Sequence, residues 1–286
     1  MNFHYIVQTE AGATSQQGEY LKAACEKNGV AYNPVVADSF DFTNVAPLGA
    51  GDLLYRRSVA KTARACEQML VGEGCATFYK EWNQVFTARS SSFYKHTHEG
   101  LPAIPSYPTL PENRELLMKA VDHLGGFPII LKVLGNSKGV GVIKIDSEEG
   151  LRSTVDYLAK DTSSRFMLRK FVPHQYYGRL IVVGDSVVAS NRTFVPKGDF
   201  RSNTADNVDE NREPYTFSEE LQAMVVRSVE SVGLEFAGVD LLFDDDGSVY
   251  IAEVNFPCEF EMAQTITGVD VADCMIKHLV AKTAMA

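Results

Sequence analysis

The segment GVDLLFDDDGSVYIAEVNF, residues 238–256, constrains this chain more than any other, because its turn chemistry sets which side chains share a face. Asp246-Gly247 is a strong two-residue hairpin signal between two apolar, β-branched runs. Pairing about that turn puts Asp240 directly opposite Glu253, with Asn255 two positions along on the same side. Two carboxylates and an amide oxygen then converge on a mainly apolar sheet. Left uncompensated, the acids would repel each other and lose hydration, so a bound cation is their natural partner. An all-oxygen set suits Mg²⁺ or Mn²⁺ and not zinc. The alternative is a solvated hairpin end with unrelated acids, and a register slip of one residue would separate the pair.

Composition narrows the rest. At 286 residues the chain is long enough for more than one folding lobe. A formal charge of −10 and a pI near 5.1 argue against a nucleic-acid partner, while leaving room for a local basic pocket. The five cysteines (Cys25, Cys66, Cys75, Cys258 and Cys274) are odd in number and widely spaced, with no CxxC pair. They read as buried or free thiols of a reducing compartment. No long apolar run and no signal-like N-terminus is present, so a cytoplasmic protein with no membrane partner is expected.

Residues 1–88 predict an α/β unit: short strands at 3–7, 32–36 and 53–55, with helices at 20–27 and up to Met69. Such alternation implies a small parallel sheet. Residues 101–113 carry four of the eleven prolines and read as a linker or crossing loop. Then come a helix at 114–124 ended by Gly125-Gly126, strands at 127–133 and 142–145, a helix at about 148–159, and a strand at 166–172. A second hairpin turns at Gly184-Asp185, residues 196–215 form a long polar loop, and helices are expected at 218–232 and 269–284.

Several polar side chains sit where they need an explanation. Lys132 interrupts the apolar strand FPIILKVL. It either meets an anion or snorkels at a strand edge. The loop after it, Gly135-Asn136-Ser137-Lys138-Gly139-Val140-Gly141, lets backbone N–H groups approach a phosphate, with Ser137 and Lys138 adding to the clamp. It is neither a Walker A loop nor GxGxxG, and a plain glycine-rich turn is the alternative. A two-residue turn at Gly184-Asp185 places Arg179 opposite Ser190, so that Arg192 shares the face of Arg179. Two guanidiniums on one face fit a phosphate or carboxylate, or else local acids. Arg201 and Asn203, in KGDFRSN, are positioned to join that anion site from the loop. Arg56 and Arg57 end a strand and are open either to an acidic substrate group or to an ordinary salt bridge. The histidines show no ligand spacing, and no GxSxG elbow is present.

Taken in order, FPIILKVLGNSKGVGV, RLIVVGDSVVASNRTFVPKGDFRSN and LEFAGVDLLFDDDGSVYIAEVNFPCEFEMAQTITGVDVADCMI resemble an ATP-grasp enzyme of the RimK-like, ribosomal-protein glutamate ligase branch. The resemblance implies α/β and α+β architecture: an N-terminal α/β domain (1–88), an ATP-grasp central lobe (89–170) and a C-terminal lobe (171–286). It further implies ATP held between two sheets. Lys132 would contact the α/β-phosphates beneath the 135–141 loop, and the backbone of Lys170-Phe171-Val172 would meet adenine. Asp240, Glu253 and Asn255 would hold two Mg²⁺ (or Mn²⁺) ions, with Arg179, Arg192, Arg201 and Asn203 facing phosphate or acyl phosphate. Three positions depart from the family. Tyr177 stands where an acid often meets ribose, and Arg89 lies near an early ATP-contacting lysine. Phe256-Pro257-Cys258-Glu259 follows Asn255 where SPG is usual, which leaves the acceptor open.

The implied reaction is ATP-dependent amide formation through an acyl phosphate, on an amino acid, a peptide, or a protein or carrier-bound acceptor. The resemblance is compatible with a homo-oligomer. Two other readings stay open at this point: a ligase for an unrelated small acid in natural-product assembly, and a non-catalytic ATP-binding module. Cys258 as a nucleophile is conceivable, although the chemistry needs none.

Overall fold

The computed structural model describes residues 1–87, 92–134, 140–158, 165–196, 198–201 and 211–284. Gly135, Asn136, Ser137, Lys138 and Gly139, together with Arg89 and Asn203, lie outside the described residues. The N-terminal unit runs β1 (Asn2–Val7), α1 (Glu10–Ala13), α2 (Gln16–Lys27), β2 (Ala31–Val36), β3 (Asp52–Arg56) and α3 (Lys61–Leu70). Its three strands form a parallel sheet in the order β2-β1-β3, as the alternation predicts. Ser15 caps α2 by accepting from the Gly18 N–H at 3.3 Å.

Helix α4 (Ser92–His98) comes next and packs on the C-terminal group, His96 Nε2 lying 3.1 Å from the Ser228 carbonyl. A second layer follows: β4 (Ser106–Tyr107), α5 (Arg114–His123), β5 (Ile129–Leu134), β6 (Val142–Ile145), α6 (Glu148–Leu158) and β7 (Arg165–Lys170). These strands make an antiparallel sheet in the order β4-β7-β5-β6. Asn113 caps α5, and Gly125 and Gly126 (φ 97° and 84°) end it in a conformation that other residues rarely adopt. Strand β7 stops at Lys170, so Phe171 and Val172 lie just beyond the sheet.

The third group is β8 (Tyr176–Val183), β9 (Ser186–Phe194), β10 (Arg212–Pro214), α7 (Glu219–Ser231), β11 (Phe236–Phe243), β12 (Val249–Asn255), α8 (Glu261–Thr267) and α9 (Val271–Thr283). Its sheet has the order β10-β9-β8-β11-β12. Helix α8 escapes the sequence pattern, and β10 lies inside the stretch read as one long loop. The apolar clusters explain how the sheets associate. Ile6 and Leu54 of the N-terminal unit pack with Leu180, Val225 and Val239, whereas Leu117, Val121, Ile129, Leu131 and Leu168 form a separate core. The middle sheet is therefore its own layer, facing the C-terminal sheet across a cleft.

Two bulges decide which side chains enter that cleft. In the β11–β12 hairpin Phe243 pairs with Val249, the Asp244 N–H donates to the Ser248 carbonyl, and Gly247 has φ 87°. The turn is thus one residue longer than the Asp246-Gly247 reading. Ala252, an extra residue in β12, then restores the pairing of Asp240 with Glu253 and of Gly238 with Asn255. The expected pairing holds because two one-residue departures cancel. In the β8–β9 hairpin the Gly184-Asp185 turn has two residues as expected, but Val188 is extra. Arg179 consequently faces Asn191 and not Ser190, and Arg192 pairs with Gly178. The expectation that Arg192 shares the face of Arg179 is wrong: the bulge turns it to the opposite side.

Candidate functional site

Strict alternation along β5 sends Ile129 and Leu131 into the middle core, both fully buried, and points Ile130 and Lys132 into the cleft. On the other wall Tyr177, Asp240, Leu242 and Glu253 face them. The Lys132 ammonium donates to Glu253 Oε1, joining the two sheets. The anion that Lys132 needs is thus a carboxylate of this chain.

Asp240 lies on β11, next to the edge of the C-terminal sheet, directly between Arg179 on β8 and Glu253 on β12. Arg179 Nη1 donates to both Asp240 oxygens at 2.9 Å, and Asn255 Nδ2 donates to Asp240 Oδ2 at 3.1 Å. Burial pushes the Asp240 carboxyl up, more strongly than Arg179 pulls it down. Burial also acts on Glu253, but Lys132, Arg169 and Arg179 outweigh it and hold that carboxyl below its usual range. Close packing allows the Arg179 geometry: a Cβ on Gly238 would come within 2.8 Å of the Arg179 guanidinium.

Asp240, Glu253 and Asn255 therefore share one sheet face and offer only oxygen donors from opposed carboxylates and an amide. That chemistry fits Mg²⁺ or Mn²⁺, with water and phosphate oxygens filling the remaining positions. Among the described residues no group of three or more His, Cys, Asp or Glu forms a metal cluster, so the set depends on its amide member.

The other predicted residues divide. Arg201 reaches the cleft beside Phe200, and its guanidinium grips Asp199 at 3.1 and 3.2 Å. That grip holds the Asp199 carboxyl down to about 2. Lys170, Phe171 and Val172 line the same cleft; Lys170 Nζ donates to the Tyr250 hydroxyl at 3.2 Å, and Phe171 packs edge-on to Phe200. Of the glycine-rich loop, Val140 is exposed, and the Gly141 carbonyl accepts from the Val133 N–H at 2.8 Å. Arg192 stands apart, ion-paired to Glu213 and stacked against Tyr215, Phe194 and Tyr176 with its guanidinium carbon 4.5–5.4 Å from the ring centres.

Arg56 and Arg57 take different paths. Arg56 is buried against Glu67 at 2.7 Å. Arg57 bridges to Gln17 at 2.9 Å and to Glu261 at 3.3 Å. Burial pushes the Cys258 thiol up to about 12, which leaves it a poor nucleophile. Sequence reasoning missed Arg169 and His174, both of which line the cleft. His174 Nδ1 lies 2.8 Å from the Val172 carbonyl, and burial lowers its pKa. Strand parity with Lys132 would have found Arg169, since Ile130 is its partner across β5–β7.

A model of the RimK-like ATP-grasp domain matches residues 104–279. A protein of Trichodesmium erythraeum named "Probable alpha-L-glutamate ligase" is 33% identical over 161 residues, which cover 56% of this chain and 52% of that protein. The chain thus spans about half the length of such relatives. In structure it resembles the ATP-grasp ligase PsnB solved with its minimal precursor (TM-score 0.75, 16% identity, 98% of both chains). It also resembles a RimK-domain ATP-grasp protein of Sphaerobacter thermophilus (TM-score 0.68, 16% identity, 97% of this chain and 99% of that one). Among the described residues, no helix is long and apolar enough to cross a membrane.

Proposed function

Because the chain belongs to the RimK-like ATP-grasp family, we propose that it is an ATP-dependent carboxylate–amine ligase acting on an amino acid or a peptide. One observation carries this reading: Lys132 on one sheet meets Asp240, Glu253 and Asn255 on the other, with Arg179 and Arg201 flanking them. The relative named as a probable glutamate ligase supports the substrate class.

In this reaction a substrate carboxylate oxygen attacks the γ-phosphorus of ATP as the bond to ADP breaks. An amine nitrogen then attacks the acyl carbon, phosphate leaves and the nitrogen loses a proton. Asp240, Glu253 and Asn255 would hold Mg²⁺ or Mn²⁺, which when bound neutralises phosphate charge. Lys132 exchanges its Glu253 partner for a phosphate oxygen. Arg179, fixed by Asp240, and Arg201, at the cleft mouth, offset charge on the transferred group. The backbone of Lys170, Phe171 and Val172 would meet adenine, with Phe171 and Phe200 packed edge-on as an apolar wall of the cleft. No side chain is required as a base, since the departing phosphate can accept the proton.

The test incubates the pure protein with ATP, Mg²⁺ and pools of amino acids and peptides, following phosphate release and new masses together. Phosphate release with an amide-sized mass gain from one pool is expected. Activity that survives Glu253→Ala would disprove the metal assignment.

A further inference from the structure

We propose that Arg169 is a positioning residue that sets the metal-binding carboxylate of Glu253 by holding the bulge of β12 at Ala252. The identity of the metal rests on the ligase reading above; the positioning itself does not. Between Val249 and Ile251, β12 pairs with β11 in one register, and from Glu253 onward in a register displaced by one. Ala252 is the displaced residue. Without it Asp240 would pair with Ala252, and Glu253 would turn to the face that carries the buried Val239 and Leu241. The placement of Glu253 beside Asp240 therefore depends on that one extra residue.

A bulge leaves backbone groups outside the ladder, and those groups need partners. The Ala252 carbonyl finds Arg169, whose Nη2 donates to it at 3.1 Å from β7 of the middle sheet. Arg169 Nε donates to Ser106 Oγ at 3.0 Å, and that hydroxyl donates to the Ile104 carbonyl at 2.8 Å. The guanidinium is thus fixed from two sides. Among the described residues it forms no ion pair. Its charge helps hold the Glu253 carboxyl below its usual range, while its two bonded nitrogens fix the Ala252 carbonyl and the Ser106 hydroxyl.

The proline-rich segment completes the clamp. β12 is the edge of its sheet, and the Pro102 carbonyl accepts from the Ile251 N–H at 2.7 Å while Ala103 bridges Ile251 in parallel. The Pro105 carbonyl accepts from the Lys170 N–H at 2.9 Å, next to Arg169. Ile251 is held from one side and Ala252 from the other. A lysine cannot replace the arginine here, because the two contacts use two nitrogens of one planar fork.

Arg169→Lys and Arg169→Met in the full chain test this, with Glu253→Gln as reference. The readouts are Mn²⁺ binding by electron paramagnetic resonance, ATP binding in EDTA, thermal unfolding, and a crystal structure of a folded variant. Both Arg169 variants should unfold cooperatively and bind ATP in EDTA within about 3-fold of wild type. Their Mn²⁺ affinity should fall by about 10–100-fold, as for other residues that orient a ligand. The crystal structure should show Glu253 moved off the face of Asp240. Wild-type Mn²⁺ affinity in a folded variant, or an unchanged pairing of Asp240 with Glu253, would overturn the inference. If Glu253→Gln leaves Mn²⁺ binding intact, the metal assignment fails instead, and the crystal structure still decides the role of Arg169.

Discussion

Lys132 and Glu253 lie on different sheets, yet the ammonium of one meets the carboxylate of the other and closes the cleft between them. Each neutralises the other until a phosphate and a cation replace them. Lys132→Met should therefore weaken ATP binding even in EDTA, and Glu253→Gln should leave that binding intact while abolishing the metal dependence. Each should lower turnover on the order of 10²–10³-fold. The side chains are 20% and 38% exposed, so unfolding free energy should change by less than about 1 kcal/mol. Nucleotide titrations with and without metal, read beside phosphate release, check both.

Gly238 gives a second test. A methyl there would strike the Arg179 guanidinium, the mobile end of a side chain and not backbone. Gly238→Ala should lower turnover at least about 10-fold, because Arg179 leaves Asp240. It should lower the thermal midpoint as well, because the poorly exposed Asp240 carboxylate loses the guanidinium that binds both its oxygens. A fully active variant would show that the Arg179–Asp240 geometry does not matter.

The Arg56–Glu67 pair should matter for stability alone. Both side chains are nearly inaccessible, at 1% and 3% exposure, and Glu67 also accepts from the Tyr79 hydroxyl at 3.2 Å. Arg56→Met strands a buried carboxylate and should cost about 3–5 kcal/mol in urea unfolding. The double variant Arg56→Met/Glu67→Leu should recover most of that loss. Equal destabilisation in both would mean that shape, and not charge, is what the pair supplies.

Acid stability should depend on Asp273. Burial opposes its charge, but hydrogen bonds from Lys277, Asn28 and Lys27 prevail and hold the carboxyl down to about 2. Asn28 Nδ2 donates at 2.7 Å, tying α2 to α9. A depressed carboxyl stabilises the fold above its unfolded value of 3.8, and that contribution is lost as pH falls toward about 2. The urea midpoint of wild type should therefore drop more steeply over this window than that of Asp273→Asn. Parallel slopes would show that other acids carry the effect.

Much of this molecule is local chemistry and was legible as such. The helix that begins after Asn113, the glycines that end it, and the alternation of strands and helices in the first 70 residues all act within a few positions of one another. The Ser15 cap, by contrast, starts α2 at Gln16, ahead of the expected helix at 20–27. Lys132, Arg179, Asp240, Glu253 and Asn255 stood out because a polar group in an apolar strand must find a partner, and all of them do.

What the sequence alone determined is therefore the elements and the residues that demand explanation, because periodicity, capping and turn propensity are short-range. Tertiary structure alone decided the register. A bulge adds one residue to one strand, and whether it forms depends on who satisfies the freed backbone group from elsewhere in the chain. At Ala252 that partner is Arg169, 83 positions away, and the bulge keeps Glu253 beside Asp240. At Val188 the same kind of insertion carries Arg192 to the opposite face, among aromatic rings. Neither outcome is written in the turn residues, because a displacement of one position reverses every side chain beyond it.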